Sequence, residues 1–308
     1  MGAGWVAGTV RARALLERRL GSAAVAGLAV LPTPDAAAAR LGDSSYQRFL
    51  PAGADPGQAE RAVDDAVLWN LRVLAGWLPR RGLAAIQALA SDYEIRNIAD
   101  KLRVLAGEPA GTPYRLGALA AAWRSAAAAR STAELRAAVS ASPWGDPGTE
   151  EPGDFVVFLR LSAASRLAAV HDDARPWGAA AAALAVARRR FLAGAPLSAT
   201  AQAKAGPLLG SPALHAEDWP GFTAALPRRD VGWVLEGIED PRQLWRAEEL
   251  WWSRLEQDAA DLVHTSGFGP EPALGCAALL LADARAVRAA LASAARGGRS
   301  AGGDHAHP

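Results

Sequence analysis

Residues 91–107, Ser-Asp-Tyr-Glu-Ile-Arg-Asn-Ile-Ala-Asp-Lys-Leu-Arg-Val-Leu-Ala-Gly, constrain this chain more than any other stretch. Ile95, Ile98, Leu102 and Leu105 fall at i, i+3, i+7 and i+10, one apolar stripe of a helix, while Arg96, Asp100 and Arg103 lie off it. Gly107 followed by Pro109 stops the helix. The pattern returns 189 positions later, at Asp283-Ala-Arg-Ala-Val-Arg-Ala-Ala-Leu. Ala284, Val287, Leu291 and Ala294 take the stripe positions, Asp283 replaces Glu94, Arg285 repeats Arg96, and Gly297 and Gly298 end the segment. A recurrence in matching phase predicts a supersecondary unit used more than once.

The remaining elements also read as helices. Residues 4–20 carry Val6, Val10, Leu16 and Leu20 as the apolar set, with Arg11, Arg13, Arg18 and Arg19 exposed. Thr33-Pro34-Asp35 and Asp55-Pro56 are N-caps followed by Pro at the first helical position. The first opens a short helix through Leu41. The second opens a longer one with Val63, Val67, Leu71, Leu74 and Leu78 on one face. Residues 116–130 read as an Ala-rich helix, and Ser131-Thr132-Ala133-Glu134 as the capping box of the next. Phe155 to Leu159 has strand-like content, but Asp154 is a good N-cap and Leu161 and Leu167 continue a helical spacing, so a helix is expected. Another helix runs from Pro176 to Gly194. Residues 195–230, with five prolines, read as a long exposed loop or mobile connector. Asp240 caps a helix bearing Leu244, Leu250, Trp251, Leu255 and Leu262, and residues 273–295 form the last helix or helix pair. The tail, 297–308, has a disordered composition.

Composition narrows the function classes. With a formal net charge of +1, no global field draws the chain to nucleic acid or anionic lipid. The 11 Trp, 6 Phe and 3 Tyr are scattered rather than set in a stacking platform. Lys101 and Lys204 are the only lysines, which reads as genome composition bias. The single cysteine, Cys276, sits in an apolar run as an inert buried thiol, consistent with a reducing compartment. Arg11 and Arg13 come too early for a signal peptide, and no window reaches the roughly 18 to 20 apolar residues of a membrane span. The expectation is a soluble, cytoplasmic chain with no direct membrane insertion and no nucleic-acid partner.

Few residues form a pattern that carries chemistry. His171-Asp172-Asp173 is the one cluster to weigh, yet three consecutive residues point in different directions and suit a helix end better than a metal site or an enzyme centre. Gly2, Gly4 and Gly8 match no phosphate-loop spacing. His215 and His264 have no partner in sequence, and His305 and His307 suit adventitious metal only. No Ser elbow, Cys/His pair or Walker loop occurs. No catalytic residue, cofactor or metal site is expected. Function is then expected in surfaces: Trp251 and Trp252 with Arg246 and Arg254, and the Arg188-Arg189-Arg190 cluster.

Glu94-Ile95-Arg96-Asn97-Ile98, preceded by Leu-rich helices, resembles the signature of the C-type subunit of V/A-type (vacuolar/archaeal-type) ATPases, known as the d-type in eukaryotes. Asp283, Arg285, Val287 and Arg288 are similar to that family's C-terminal repeat, and Trp5 with Val10-Arg11-Ala12-Arg13 resembles its first helix. The chain departs from the pattern in two repeats. Ala181 and Leu184 stand where the middle one would hold Glu and Asn, and Ala286 stands in the third where the first has Asn97. The resemblance implies an all-α protein of three pseudo-repeated helical bundles forming a funnel, here residues 1–113, 114–205 (diverged) and 206–296, with 297–308 as the tail. It implies a non-catalytic central-stalk subunit whose partners are the rotor shaft and the membrane proteolipid ring, peripheral at the cytoplasmic face of the membrane; the alternative is an all-α helical adaptor without a motor role.

Overall fold

Thr33, Asp55, Ser131, Ser198 and Asp218 each accept, through a side-chain oxygen, the backbone N–H three residues on, and each sits at the start of a helix. These caps divide much of a chain that the computed structural model describes over residues 3–265 and 267–296. In order the helices are α1 (Ala3–Leu16), α2 (Ser22–Ala29), α3 (Pro34–Leu41), α4 (Pro56–Trp77), α5 (Arg80–Leu89), α6 (Ser91–Leu105), α7 (Trp123–Ala126) and α8 (Thr132–Ser140). They continue as α9 (Pro152–Val170), α10 (Arg175–Ala187), α11 (Ala199–Leu209), α12 (Ser211–His215), α13 (Trp219–Ala225), α14 (Leu244–His264) and α15 (Pro270–Ala295). Short 3-10 turns and one π-helical turn, Arg188–Leu192, join them, and the described residues contain no strand. No described helix is long and apolar enough to cross a membrane.

The chain falls into two compact units, residues 1–78 with 259–308, and residues 79–258. The first takes the beginning and end of the chain, so the expected segments 1–113 and 206–296 are each divided between the units. Within the first unit α15 packs against α1, α2, α3 and α4. Val63, Val67, Leu71 and Leu74 of α4 are buried, as are Ala284, Val287, Leu291 and Ala294 of α15. Gly275 lets α15 approach the end of α14, where a Cβ would meet the Ala259 carbonyl oxygen at 2.5 Å.

The second unit has two apolar clusters that share α9. One joins Ile95, Ile98 and Leu102 of α6 to α7, α8, Trp144, Phe155 and Phe158. The other joins the alanine face of α10 to α11, Phe222 of α13, and Leu244 and Ala247 of α14. Alanine faces permit close helix approach. At Gly178 on α10, a Cβ would lie 2.4 Å from the Ala164 carbonyl oxygen of α9.

Several expectations need correction. The segment 195–230 is not a loop: it holds α11, α12 and α13, and Leu197, Ala201, Ala205, Leu208 and Leu209 are buried. Its prolines mislead because Pro212 and Pro220 occupy first-turn positions, where no N–H is needed. Helix 4–20 ends at Leu16, and its buried face is Gly8, Thr9, Ala12 and Leu15, whereas Val10 is 59% exposed. Residues 116–130 contain a 3-10 turn and the single turn α7 rather than one helix. The cap of α9 is Glu151, which accepts from Gly153 and Asp154, not Asp154 itself. The Phe155–Leu159 run is helical as expected. The tail 297–308, with Gly297, Gly298, His305 and His307, lies outside the described residues, as does Ser266.

Candidate functional site

On α6, Glu94 and Asn97 lie one turn apart beside the Ile95, Ile98 and Leu102 stripe, and both are buried. Neither residue is left unsatisfied. The Glu94 carboxylate accepts the backbone N–H of Ala121 (2.9 Å to Oε2), Ala122 (2.7 Å to Oε1) and Trp123 (2.6 Å to Oε1). The Trp144 indole Nε1–H also donates to Glu94 Oε2, at 3.2 Å. These backbone groups are the unpaired donors at the start of α7, where a negative charge is favoured by the helix dipole. Asn97 accepts from Tyr114 N at 2.7 Å and donates to Tyr114 O at 3.0 Å. Together the two side chains fasten the segment between Tyr114 and Trp123 onto α6. That is the physical reason residues 116–130 do not form one helix: three of their N–H groups are committed to Glu94.

Asp283 on α15 makes the same kind of contact in the first unit. It accepts the backbone N–H of Leu20 (3.0 Å) and Gly21 (2.9 Å), just ahead of α2, and the Tyr46 hydroxyl (2.8 Å). The early end of α1 follows from this, since the chain beyond it turns to present Leu20 and Gly21 to the carboxylate. The supporting turns match as well. Ser44 Oγ donates to Leu41 O at 2.6 Å and accepts Tyr46 N at 3.2 Å. Ser142 Oγ donates to Val139 O at 2.6 Å and accepts Trp144 N at 3.2 Å. Thr33, Ser44 and Tyr46 stand 98 positions before Ser131, Ser142 and Trp144. That second spacing is present in the sequence and picks out Tyr46 and Trp144, which lie outside the apolar stripes.

The rest of each signature is structural. Ile95 and Ile98 are buried, and Arg96 pairs with Asp92 at 2.7 Å over the Tyr93 ring. Val287 is fully buried, Arg285 is half-buried, and Arg288 pairs with Asp64, whose side chain is only 5% exposed. Arg166 on α9 lies with its guanidinium 4.9 Å from the Trp144 ring centroid, and its buried Nη1 has no hydrogen-bond partner among the described residues. Burial lowers the Arg166 pKa from its ordinary value, and the charge of Glu94 opposes that shift.

The candidate interface residues divide. Arg188 pairs with Glu248, and Arg189 bonds Asp154 at 2.5 Å and the Pro196 carbonyl at 3.1 Å. Arg190 donates to the carbonyls of Ala213 (3.3 Å), Leu214 (3.0 Å) and Ala216 around the end of α12. A cation there satisfies terminal carbonyls, the reverse of the job Glu94 does at a helix start. The three arginines are therefore engaged within their own unit. Trp251 donates to Trp177 O at 2.9 Å and meets Trp252 edge to face, with centroids 4.9 Å apart. Arg254 pairs with Asp258 at 2.7 Å, and Arg246 lies over Trp245, which is 60% exposed. The outward aromatic of α14 is thus Trp245, upstream of the tryptophan pair expected to serve.

His171, Asp172 and Asp173 form the start of a 3-10 turn, with His171 Nδ1 accepting Asp173 N at 3.3 Å. No group of three or more metal-binding side chains is gathered among the described residues. Cys276 is buried, with its Sγ donating to Ala12 O at 3.0 Å, and burial pushes its pKa up to about 12. In the first unit a cleft of about 300 Å³ is lined by Glu17, Arg19, Arg40, Asp43, Ser44 and Ser45. No protein-family model and no curated protein matches this chain.

Proposed function

We propose that this chain is a non-catalytic central-stalk subunit of a V/A-type rotary ATPase or ATP synthase, coupling the rotor shaft to the membrane proteolipid ring for proton or sodium transport. It would work at the cytoplasmic face of the membrane, held there through the complex. The reading starts from the resemblance at Glu94 to Ile98 and at Asp283 to Arg288. The observation that supports it best is that the two acids matched by that resemblance have the same role in the fold. Each buries a carboxylate against backbone N–H groups at the start of another helix, with one aromatic donor beside it.

A coupling subunit must pass torque without shearing at its loops. Charge-assisted hydrogen bonds from backbone to a buried carboxylate fix a loop far more firmly than solvent-exposed contacts do. In this reading Glu94 fastens Ala121 to Trp123 onto α6 and Asp283 fastens Leu20 and Gly21 onto α15, while Ala181 and Leu184 leave the diverged middle position without such a carboxylate.

The test is affinity purification of the tagged full-length chain from membranes of its own source, with the recovered proteins identified by mass spectrometry. Shaft and proteolipid subunits should come with it. Recovery of the chain without either would overturn the reading.

A further inference from the structure

In the first unit three side chains far apart in sequence meet at one surface point. Trp69 is half-buried on α4, Arg18 follows the end of α1, and Arg48 lies in the short turn 47–49. Each guanidinium carbon is 5.0 Å from the Trp69 ring centroid. Arg48 also lies 5.8 Å from the Phe49 ring, whose centroid is 6.3 Å from that of Trp69. The two charges can be no further apart than about 10 Å, which is one Debye length at 0.1 M salt. Both arginines are exposed, and among the described residues neither guanidinium has a carboxylate partner or a hydrogen bond.

Holding two like charges together without a counter-ion opposes folding. Elsewhere the chain pairs its arginines readily, as Arg96 with Asp92 and Arg136 with Asp146 show. Stacking on an indole immobilises a guanidinium while leaving its N–H fork free, so the ordering cost of binding is reduced in advance. We propose that Arg18, Arg48 and Trp69 form a docking point for an acidic protein surface that presents two carboxylates one helical turn apart. Such carboxylates are spaced to meet two guanidiniums, each through a bidentate pair.

Charge complementarity favours a protein over a polyanion. Nucleic-acid binding draws on about 6–10 phosphate contacts, and anionic lipid on clusters of about 4–8 basic residues. Here two guanidiniums, those of Arg18 and Arg48, meet at the Trp69 ring, fewer than either class of polyanion site uses.

The experiment uses the full-length protein and a fluorescein-labelled, alanine-based helical peptide with Glu at i and i+4, read by fluorescence anisotropy, beside a twin carrying Gln. No motor subunit is present, so failure here and failure of the rotary reading are separate results. The Glu peptide should bind about tenfold or more tightly than the Gln twin, and weaken as salt rises. R18E/R48E should lose that difference with an unchanged melting temperature, and R18K/R48K should recover only part of it, because an ammonium has no fork. Equal binding of the two peptides, full activity of the lysine pair, or unchanged binding by R18E/R48E would overturn the proposal. So would a preference, abolished in R18E/R48E, for a double-stranded oligonucleotide or for phosphatidylserine vesicles over the Glu peptide.

Discussion

Glu94 and Asp283 lie 189 positions apart, and each is a buried carboxylate that receives backbone N–H groups from the start of a helical turn together with one aromatic side-chain donor. A buried acceptor of this kind is costly to remove, because its donors stay buried. Glu94→Ala should cost about 3–5 kcal/mol, the range for breaking a buried charged cluster. Glu94→Gln keeps the shape but aims an amide N–H among donors, and should cost about 1–3 kcal/mol. Urea denaturation reads both, and a Gln variant as stable as the parent would contradict this account of the signature.

Ile98 is fully buried among Ile95, Leu102 and the α7–α9 residues of its cluster. Ile98→Ala should destabilise by about 2–5 kcal/mol through the cavity it leaves. Ile98→Asp should do worse, since it places a carboxylate inside an apolar cluster. Thermal melts of the two variants in that order would support the packing. A melt of Ile98→Asp matching the parent would refute it.

Arg190 holds the end of α12 through three carbonyls, so Arg190→Ser should act on stability. The expected loss is about 1.5–3 kcal/mol, the scale of hydrogen bonds to a charged group. Hydrogen exchange should show faster opening of α11 and α12 while α1 to α4 keep their protection. Protection unchanged in α12 would mean that the arginine is dispensable there.

Cys276 offers a pH test with a definite sign. Its thiol is raised to about 12 in the folded chain from an ordinary value of 9.0, chiefly by burial. A group raised on folding contributes stability that is complete below the unfolded pKa and is lost as pH climbs through the folded one. Stability should therefore fall between about pH 9 and 12, and Cys276→Ala should flatten that slope. Near neutral pH, a thiol reagent should label the native chain about a thousandfold or more slowly than the urea-unfolded chain. Labelling at the unfolded rate would place the thiol at the surface.

Caps and long amphipathic stripes were legible in the sequence because their causes are local. Thr33 and Asp55 needed only their own next turn, and the α6 and α15 stripes only their own periodicity. The errors arise where a distant group decides. Ala121, Ala122 and Trp123 have good helical surroundings, but a carboxylate 27 to 29 positions away takes their N–H groups. The 195–230 segment packs through Ala201 and Ala205, residues too small to raise a clear apolar period, and its prolines sit where helices begin. The arginines at 188–190 look solvated in sequence because their partners, Glu248, Asp154 and the α12 carbonyls, are 23 to 60 positions away. The Arg18–Trp69–Arg48 contact has no sequence signal at all, since three separate elements supply it.

The proposed coupling role is tested most directly by ion pumping. Membrane vesicles from cells lacking this chain should retain the catalytic motor's ATP hydrolysis but show no ATP-driven acidification or sodium uptake, and adding back the purified protein should restore transport. Vesicles that pump ions equally well with and without the chain would contradict the account.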